Sequence, residues 1–336
     1  NIMIFYCLFL AFFSCLFGVY LYKRISISRK ILAEPNFRTL HQHPIPSGGG
    51  ISFALAFTIG VFCLWLSGSL SIGFLLVFSL GGLAATIFGF LDDLVNINAK
   101  NKLVIQGLLS CWAFYWLDAA NLFYFDWLYY FIALPVTLLS LIWMINAYNF
   151  IDGIDGMAIS TAIFVSGSIA LVLLLTSPES QFIIIFGLLF AVSIAFIFFN
   201  WPPASIFMGD AGSIFFGYVF GSLIVVTVII GDLSIWTWVI IFGYFISDLV
   251  VTQIVRVILV RKWYFAHRSH AYQNLARILD SHLKVTTSII LYNVLWILPL
   301  TFWSVLNPEI EKVAAALALG PAVIVSYKYG PMLSSA

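Results

Sequence analysis

Eleven stretches of about 20 mainly apolar residues follow one another along the chain, near 2–22, 48–66, 72–91, 103–118, 128–148, 157–176, 181–199, 212–230, 235–260, 284–306 and 312–329. Nothing constrains the fold more. Inside a bilayer every backbone N–H and C=O must find a partner within the protein, so runs of this length read as helices. The short alternating segments of an outer-membrane barrel are absent. Composition agrees: 62 % hydrophobic and 9 % charged residues, with a mean hydropathy of +1.07, exclude an ordinary soluble domain. The expected fold is therefore all-α, a polytopic transmembrane bundle of 10–11 spans forming one domain over 1–336. The last span is the weakest, being rich in Ala and Gly. No soluble domain, long linker or internal repeat interrupts the series.

The basic cluster Lys23, Arg24, Arg29 and Lys30 follows the first apolar run instead of preceding it, which predicts a first span with its N-terminus outside. Alternating sides from there puts 23–47, 92–102, 149–156, 200–211 and 261–283 together. Every Lys and Arg except Lys312 falls on that side or at span ends facing it. The opposite side holds Asp118, Asp126, Glu179, Asp232, Glu309 and Glu311. Positive charge marks the first side as cytoplasmic. Cys7, Cys15, Cys63 and Cys111 lie within apolar runs without metal or redox spacing and read as packing residues. A net charge of +1 gives no reason to expect a nucleic-acid partner.

The loops on the basic side carry more chemistry than connectors need. Asn146-Ala147-Tyr148-Asn149-Phe150-Ile151-Asp152-Gly153-Ile154-Asp155-Gly156 combines two amides with two Asp-Gly pairs. Such pairs favour turns, and carboxylates at a membrane boundary are costly unless they meet a cation, a donor or water. Asp92-Asp93 ends the third span, where a helix dipole disfavours acids. The pair suits a divalent cation, or one ion-binding group beside a proton acceptor. Lys100 and Lys102 follow, suited to neutralising the pair or sharing a diphosphate with it, or simply marking the basic side.

Three further clusters have both a functional and a plain reading. Ser47-Gly48-Gly49-Gly50 enters a helix, either as a phosphate cradle or as a hinge stiffened by Pro44 and Pro46. Asp210, in Phe207-Met208-Gly209-Asp210-Ala211-Gly212-Ser213, is either a helix N-cap or a metal carboxylate on a tight turn. Arg268 and His270 suit phosphate oxygens, or a surface helix with snorkelling side chains. His267 and His270 lack a third ligand for zinc. Asp248, inside span nine, is an intramembrane acid for which pairing with a polar group of another helix is the preferred reading. Acids, cations and glycine turns on one face fit Mg²⁺-assisted chemistry on a diphosphate.

These residues carry a family likeness. From about His41 to Gln273 the chain resembles the polyprenyl-phosphate N-acetylhexosamine-1-phosphate transferases, through the Gly-rich loop at 46–50, Asp92-Asp93, Lys102 with Gln106, Asn146-x-x-Asn149-Phe-x-Asp152-Gly-x-Asp155-Gly, Phe207-x-Gly-Asp210-x-Gly-Ser213 and Arg268-x-His270. The resemblance implies transfer of a sugar 1-phosphate from a UDP-N-acetylhexosamine to undecaprenyl phosphate, releasing UMP, in the bacterial inner membrane. It also implies Mg²⁺, with Mn²⁺ as an allowed substitute, held by Asp210 and Asp92. Asp92 or Asp93 would deprotonate or orient the lipid phosphate, and Asp92, Asp93 and Asp210 form the catalytic set. Asn146, Asn149, Asp152, Asp155 and Phe207 would line the nucleotide-sugar site, with Lys102, Arg268 and His270 on phosphates. A homodimer is compatible with the family.

One departure bears on the sugar. Where the resembled enzymes for GlcNAc or muramyl-pentapeptide donors carry His-x-His-His or three His, this chain reads His270-Ala271-Tyr272-Gln273. That implies the branch initiating O-antigen with 6-deoxy sugars such as FucNAc or QuiNAc. Membrane prenyltransferases would need two Asp-rich motifs with spaced acids, which Asp92-Asp93 does not supply. An ion-coupled transporter would scatter polar residues at mid-span, whereas these acids crowd at one interface.

Overall fold

A computed structural model describes residues 2–33, 44–119, 127–259 and 269–331. The chain opens with α1 (Ile2–Ser28) and a two-residue antiparallel ladder of β1 (Leu32–Ala33) on β2 (Ile45–Pro46), pairing Leu32 with Pro46 and Ala33 with Ile45. Then come α2 (Gly50–Leu66), α3 (Ile72–Leu75), a π-helical stretch (Leu76–Gly81) and α4 (Gly82–Val95), the last three forming one continuous span. Next are α5 (Ala99–Ala119), α6 (Trp127–Phe150), α7 (Met157–Thr176), α8 (Phe182–Asn200) and α9 (Gly209–Ile229). The chain continues with α10 (Ile235–Ile241), α11 (Gly243–Leu259), α12 (Ala271–Ile278), α13 (His282–Tyr292), a second π stretch (Asn293–Ile297), α14 (Leu298–Leu306) and α15 (Glu311–Tyr329). The protein is an all-α multi-pass membrane bundle, as its apolar runs require.

Each of the eleven expected spans has a helical counterpart among the described residues. Eight are long and apolar enough to cross a bilayer. The ninth run is broken: α10 and α11 meet at 82°. The turn falls at Phe242 and Gly243, where a Cβ on Gly243 would approach Ile297 Cδ1 to 3.1 Å. The two remaining counterparts are the 17-residue α2 and α5, which opens with Lys100 and Lys102.

At the centre stands α9, packed chiefly on α4 and α6, and 78 % buried over its apolar window, the highest share of any candidate span. Its small residues admit that packing; a Cβ at Gly217 would lie 2.6 Å from the Ile145 backbone of α6. Around it, α1 packs on α2 and α8, α7 on α8, and α11 on α15. Peripheral helices turn large apolar side chains outward, among them Phe5, Phe9, Phe13 and Phe17 on α1 and Leu103, Val104, Leu108 and Tyr115 on α5. In water such a stripe would drive association; in a bilayer it meets lipid.

An amide pair links two helices of the bundle. Gln106 on α5 and Asn146 on α6 exchange two amide bonds, of 3.2 and 2.8 Å, and Asn146 also donates to the Ile142 carbonyl. Asn146→Ala strands the Gln106 amide, and we expect a loss of about 0.5–2 kcal/mol. The apparent melting temperature in detergent should fall, and Gln106→Leu combined with Asn146→Leu should recover part of it. Equal losses for the single and double variants would refute the pairing.

Candidate active site

The loops assigned to the basic side converge at one end of the bundle. Their meeting point is the start of α9. The N–H groups of Gly49 and Gly50 donate to the carbonyls of Phe207 (2.9 Å) and Met208 (3.0 Å), and the Phe207 N–H donates to the Pro46 carbonyl (2.8 Å). The glycine run therefore serves close backbone packing in this structure, and these two N–H groups are engaged by protein. A Cβ on Gly50 would lie 2.3 Å from the Gly212 backbone, and one on Gly89 would lie 2.1 Å from the Asp210 carbonyl oxygen. Thus α2 and α4 both touch α9, backbone to backbone, within its first turn.

This close approach carries Asp92 and Asp93 of α4 to Asp210. The exposed Asp93 accepts hydrogen bonds from the N–H groups of Asp210 (3.1 Å) and Ala211 (3.5 Å), so its carboxylate meets the positive end of the α9 dipole. Gly209, at φ +67°, makes the sharp entry; any side chain there would run into Asp93 Oδ2. Asp92 is buried, accepts from the Ile97 N–H (2.9 Å) and forms an ion pair with Lys102. Asn96, left-handed at φ 50°, reverses the chain after α4 and lets α5 bring Lys102 back. The Asp210 carboxyl lies within hydrogen-bonding reach of Asp92.

Opposite lies the turn between α6 and α7. Burial pushes the Asp152 carboxyl well above the ordinary carboxylate range, and the facing carboxylates of Asp210, Asp93 and Asp155 add to the shift. Asp152 therefore belongs electrostatically to the same cluster. Asp155 braces the turn: it accepts from the Ala204 N–H (3.0 Å), stands 3.2 Å from His282 Nδ1, and its carbonyl accepts from the Thr286 hydroxyl (2.9 Å). Gly156 N–H donates to Asn200 Oδ1 (3.2 Å), and Asn200 Nδ2 donates to the Ile206 carbonyl (2.9 Å). Asn149 precedes this turn on the last turn of α6, half-buried.

The other expected site residues fall at the margins. Asn146 is engaged with Gln106, one turn before Asn149. Phe207 is a backbone partner of the Gly-rich loop. His270, only 1 % exposed, lies beneath the Asp152 turn, its ring 5.9 Å from those of Phe150 and Tyr272. Tyr272 is equally enclosed and donates its hydroxyl to the Phe150 carbonyl; it is a strut under the turn, with that donor engaged. Arg268 lies outside the described residues. Sequence reasoning passed over Asn200, His282 and Thr286. Asn200 alone gave a signal, as the amide that closes an apolar run.

Among the described residues, no three acid, histidine or cysteine side chains stand close enough to hold a metal ion unaided. Mg²⁺ does not require that, since it commonly takes one or two carboxylates and completes its shell with water and substrate phosphates. Asp210 with Asp92 is such a donor pair, and the mutual repulsion felt at Asp152 is what a cation among these acids relieves. The residues present fit the ion.

Comparison with known proteins points the same way. Residues 75–228 match the family described as glycosyl transferase family 4. The chain is 29 % identical over 205 residues to a probable undecaprenyl-phosphate N-acetylglucosaminyl 1-phosphate transferase of Bacillus subtilis, covering 58 % of this chain and 55 % of that protein. It is 28 % identical over 259 residues to a phospho-N-acetylmuramoyl-pentapeptide-transferase of Prochlorococcus marinus, covering 68 % of each. A protein of that same description from Streptococcus equi subsp. zooepidemicus is 30 % identical over 225 residues, with 60 % of this chain and 65 % of that one covered. The chain thus spans about half to two thirds of the length of these relatives. The stretch similar to glycosyl transferase family 4 takes in Asp92, Asp93, Asp152, Asp155 and Asp210, the very acids that the packing of α4, α7 and α9 draws together.

Proposed function

We propose that this protein transfers an N-acetylhexosamine 1-phosphate from a UDP-sugar to undecaprenyl phosphate, releasing UMP. The observation that carries the reading is the convergence of Asp92, Asp93, Asp152 and Asp210 with Lys102 at one end of a membrane bundle. A boundary site is where a soluble nucleotide donor and a lipid phosphate can meet, and holding both removes most of the entropic barrier to reaction. The Lys and Arg of those loops support a cytoplasmic site, and the reaction proposed places the protein in the bacterial inner membrane.

Asp93, the exposed member of the pair, receives and orients the acceptor phosphate, while its bonds to the first turn of α9 keep Asp210 in register. Asp210 and Asp92 would hold Mg²⁺, which when bound would supply charge neutralisation on the donor diphosphate. Lys102, beside Asp92, adds positive charge where UMP leaves. Asn149 and Asp152 line the donor side. The run His270-Ala271-Tyr272-Gln273, which lacks the His-rich pattern of the resembled GlcNAc and muramyl-pentapeptide enzymes, favours a 6-deoxy donor such as UDP-FucNAc or UDP-QuiNAc over UDP-GlcNAc, and hence a role at the start of O-antigen synthesis. The acid one would assign to a transporter path, Asp248, is engaged as a helix anchor instead.

The test is turnover by purified protein with undecaprenyl phosphate, Mg²⁺ and a panel of UDP-N-acetylhexosamines, reading UMP and lipid-linked sugar together. One donor should give both products in equal amounts, and chelation should stop the reaction. Absence of turnover with every donor, from protein shown to be folded, would sink the transferase reading.

A further inference from the structure

Asp248 lies on α11, five residues past the bend that opens the helix's approach to the site, and is 3 % exposed. An acid within a membrane span is expensive to keep, so its partners indicate its purpose. Its Oδ1 accepts from the Ala271 N–H at 2.9 Å, the first donor of α12, and lies 3.4 Å from the Thr252 hydroxyl. Its Oδ2 lies 3.6 Å from His270 Nδ1, beyond hydrogen-bonding length but close enough for charge to orient the ring. The His270 ring packs between Phe150 and Tyr272, and the Tyr272 hydroxyl bonds the Phe150 carbonyl. Phe150 is the last residue of α6 before the turn that bears Asp152 and Asp155. From the other side, a Cβ on Gly153 would lie 2.6 Å from Gln273 Nε2, so α12 also presses on the turn itself.

We propose that Asp248 is a positioning residue. It fixes the start of α12, and through His270 and Tyr272 it holds the 151–156 turn in the geometry that presents Asp152 to the site. The acid touches no reacting atom, and its effect is exerted wholly through packed neighbours. The kinetic part of this inference rests on the reading of that turn as the donor side.

Two measurements decide it. Asp248→Asn keeps an oxygen for the Ala271 N–H but removes the negative charge facing His270. Hydrogen–deuterium exchange of the variant in detergent should rise across 150–156 and at 269–274, while peptides from α4 and α9 keep wild-type protection. Unchanged exchange at 150–156 overturns the proposal, and so does a rise spread over α4 and α9. In turnover, KM for the UDP-sugar should rise about 10-fold with KM for the lipid phosphate unmoved, since a small misplacement of one substrate's contacts costs of that order. Asp248→Asn and Tyr272→Phe should combine non-additively, because both loosen one tether. Equal shifts of the two KM values, or fully multiplicative effects, refute the tether. Should wild type turn over no donor, the transferase reading falls, and the exchange experiment still decides the role of Asp248.

Discussion

Asp210→Asn is expected to lower transfer by about 1,000-fold or more with little change in apparent melting temperature. The residue sits at the first turn of α9, half-exposed, with its N–H held by Asp93. Asn preserves shape and the backbone bond, so the fold keeps its partners. It removes one acidic group from a cluster of facing carboxyls, so stability should hold or rise slightly. What it loses is the carboxylate that, with Asp92, fits a divalent cation. Titrating Mg²⁺ in the variant should move half-maximal activity to higher concentration. Wild-type turnover in Asp210→Asn would remove Asp210 from the catalytic set.

Gly89→Ala is expected to lower both stability and turnover, by a different route. The added methyl would lie 2.1 Å from the Asp210 carbonyl oxygen, 2.4 Å from its carbon and 2.6 Å from the Ala211 nitrogen. All three are backbone atoms of a buried helix, so no side chain can swing aside. Instead α4 and α9 must part, which costs about 1–3 kcal/mol of overpacking strain. The same displacement draws Asp93 off the start of α9, and a shift near 1 Å there costs about 100-fold in rate. A detergent melting curve and an activity assay read the two effects separately. A variant with normal stability and turnover would show that the helices do not touch as described. Tyr218→Phe, which keeps its ring against Gly81 and loses only the bond from its hydroxyl to the Val77 carbonyl, serves as a mild control on the same helix pair.

The legible part of this protein was its membrane architecture and the convergence of its loops. Hydropathy finds spans because lipid demands uninterrupted apolar helix, and counting them fixes which loops share a side. Asp92, Asp93, Asp152 and Asp210 meet as that parity requires. Hydropathy records no direction, so α10 and α11 read as one run although they meet at 82°. Composition also leaves open what a glycine is for. By sequence Gly49 and Gly50 suit a phosphate less well than a hinge, and their N–H groups bond Phe207 and Met208. Tyr272 could not be placed either: its chemistry suits a sugar, while its hydroxyl supports the Phe150 carbonyl. His282 and Thr286 were invisible, since both contact Asp155 from α13, a helix whose rotation no sequence pattern announced.

The pairing of Asp92 with Lys102 has a consequence for how such a chain is made. Ribosomes deliver α4 well before α9, so for much of synthesis Asp92 and Asp93 stand at the bilayer boundary with the Asp210 turn not yet built. Lys102 arrives in the first turn of α5, the very next helix. A nascent chain can therefore neutralise its deepest acid as soon as the next helix begins to insert.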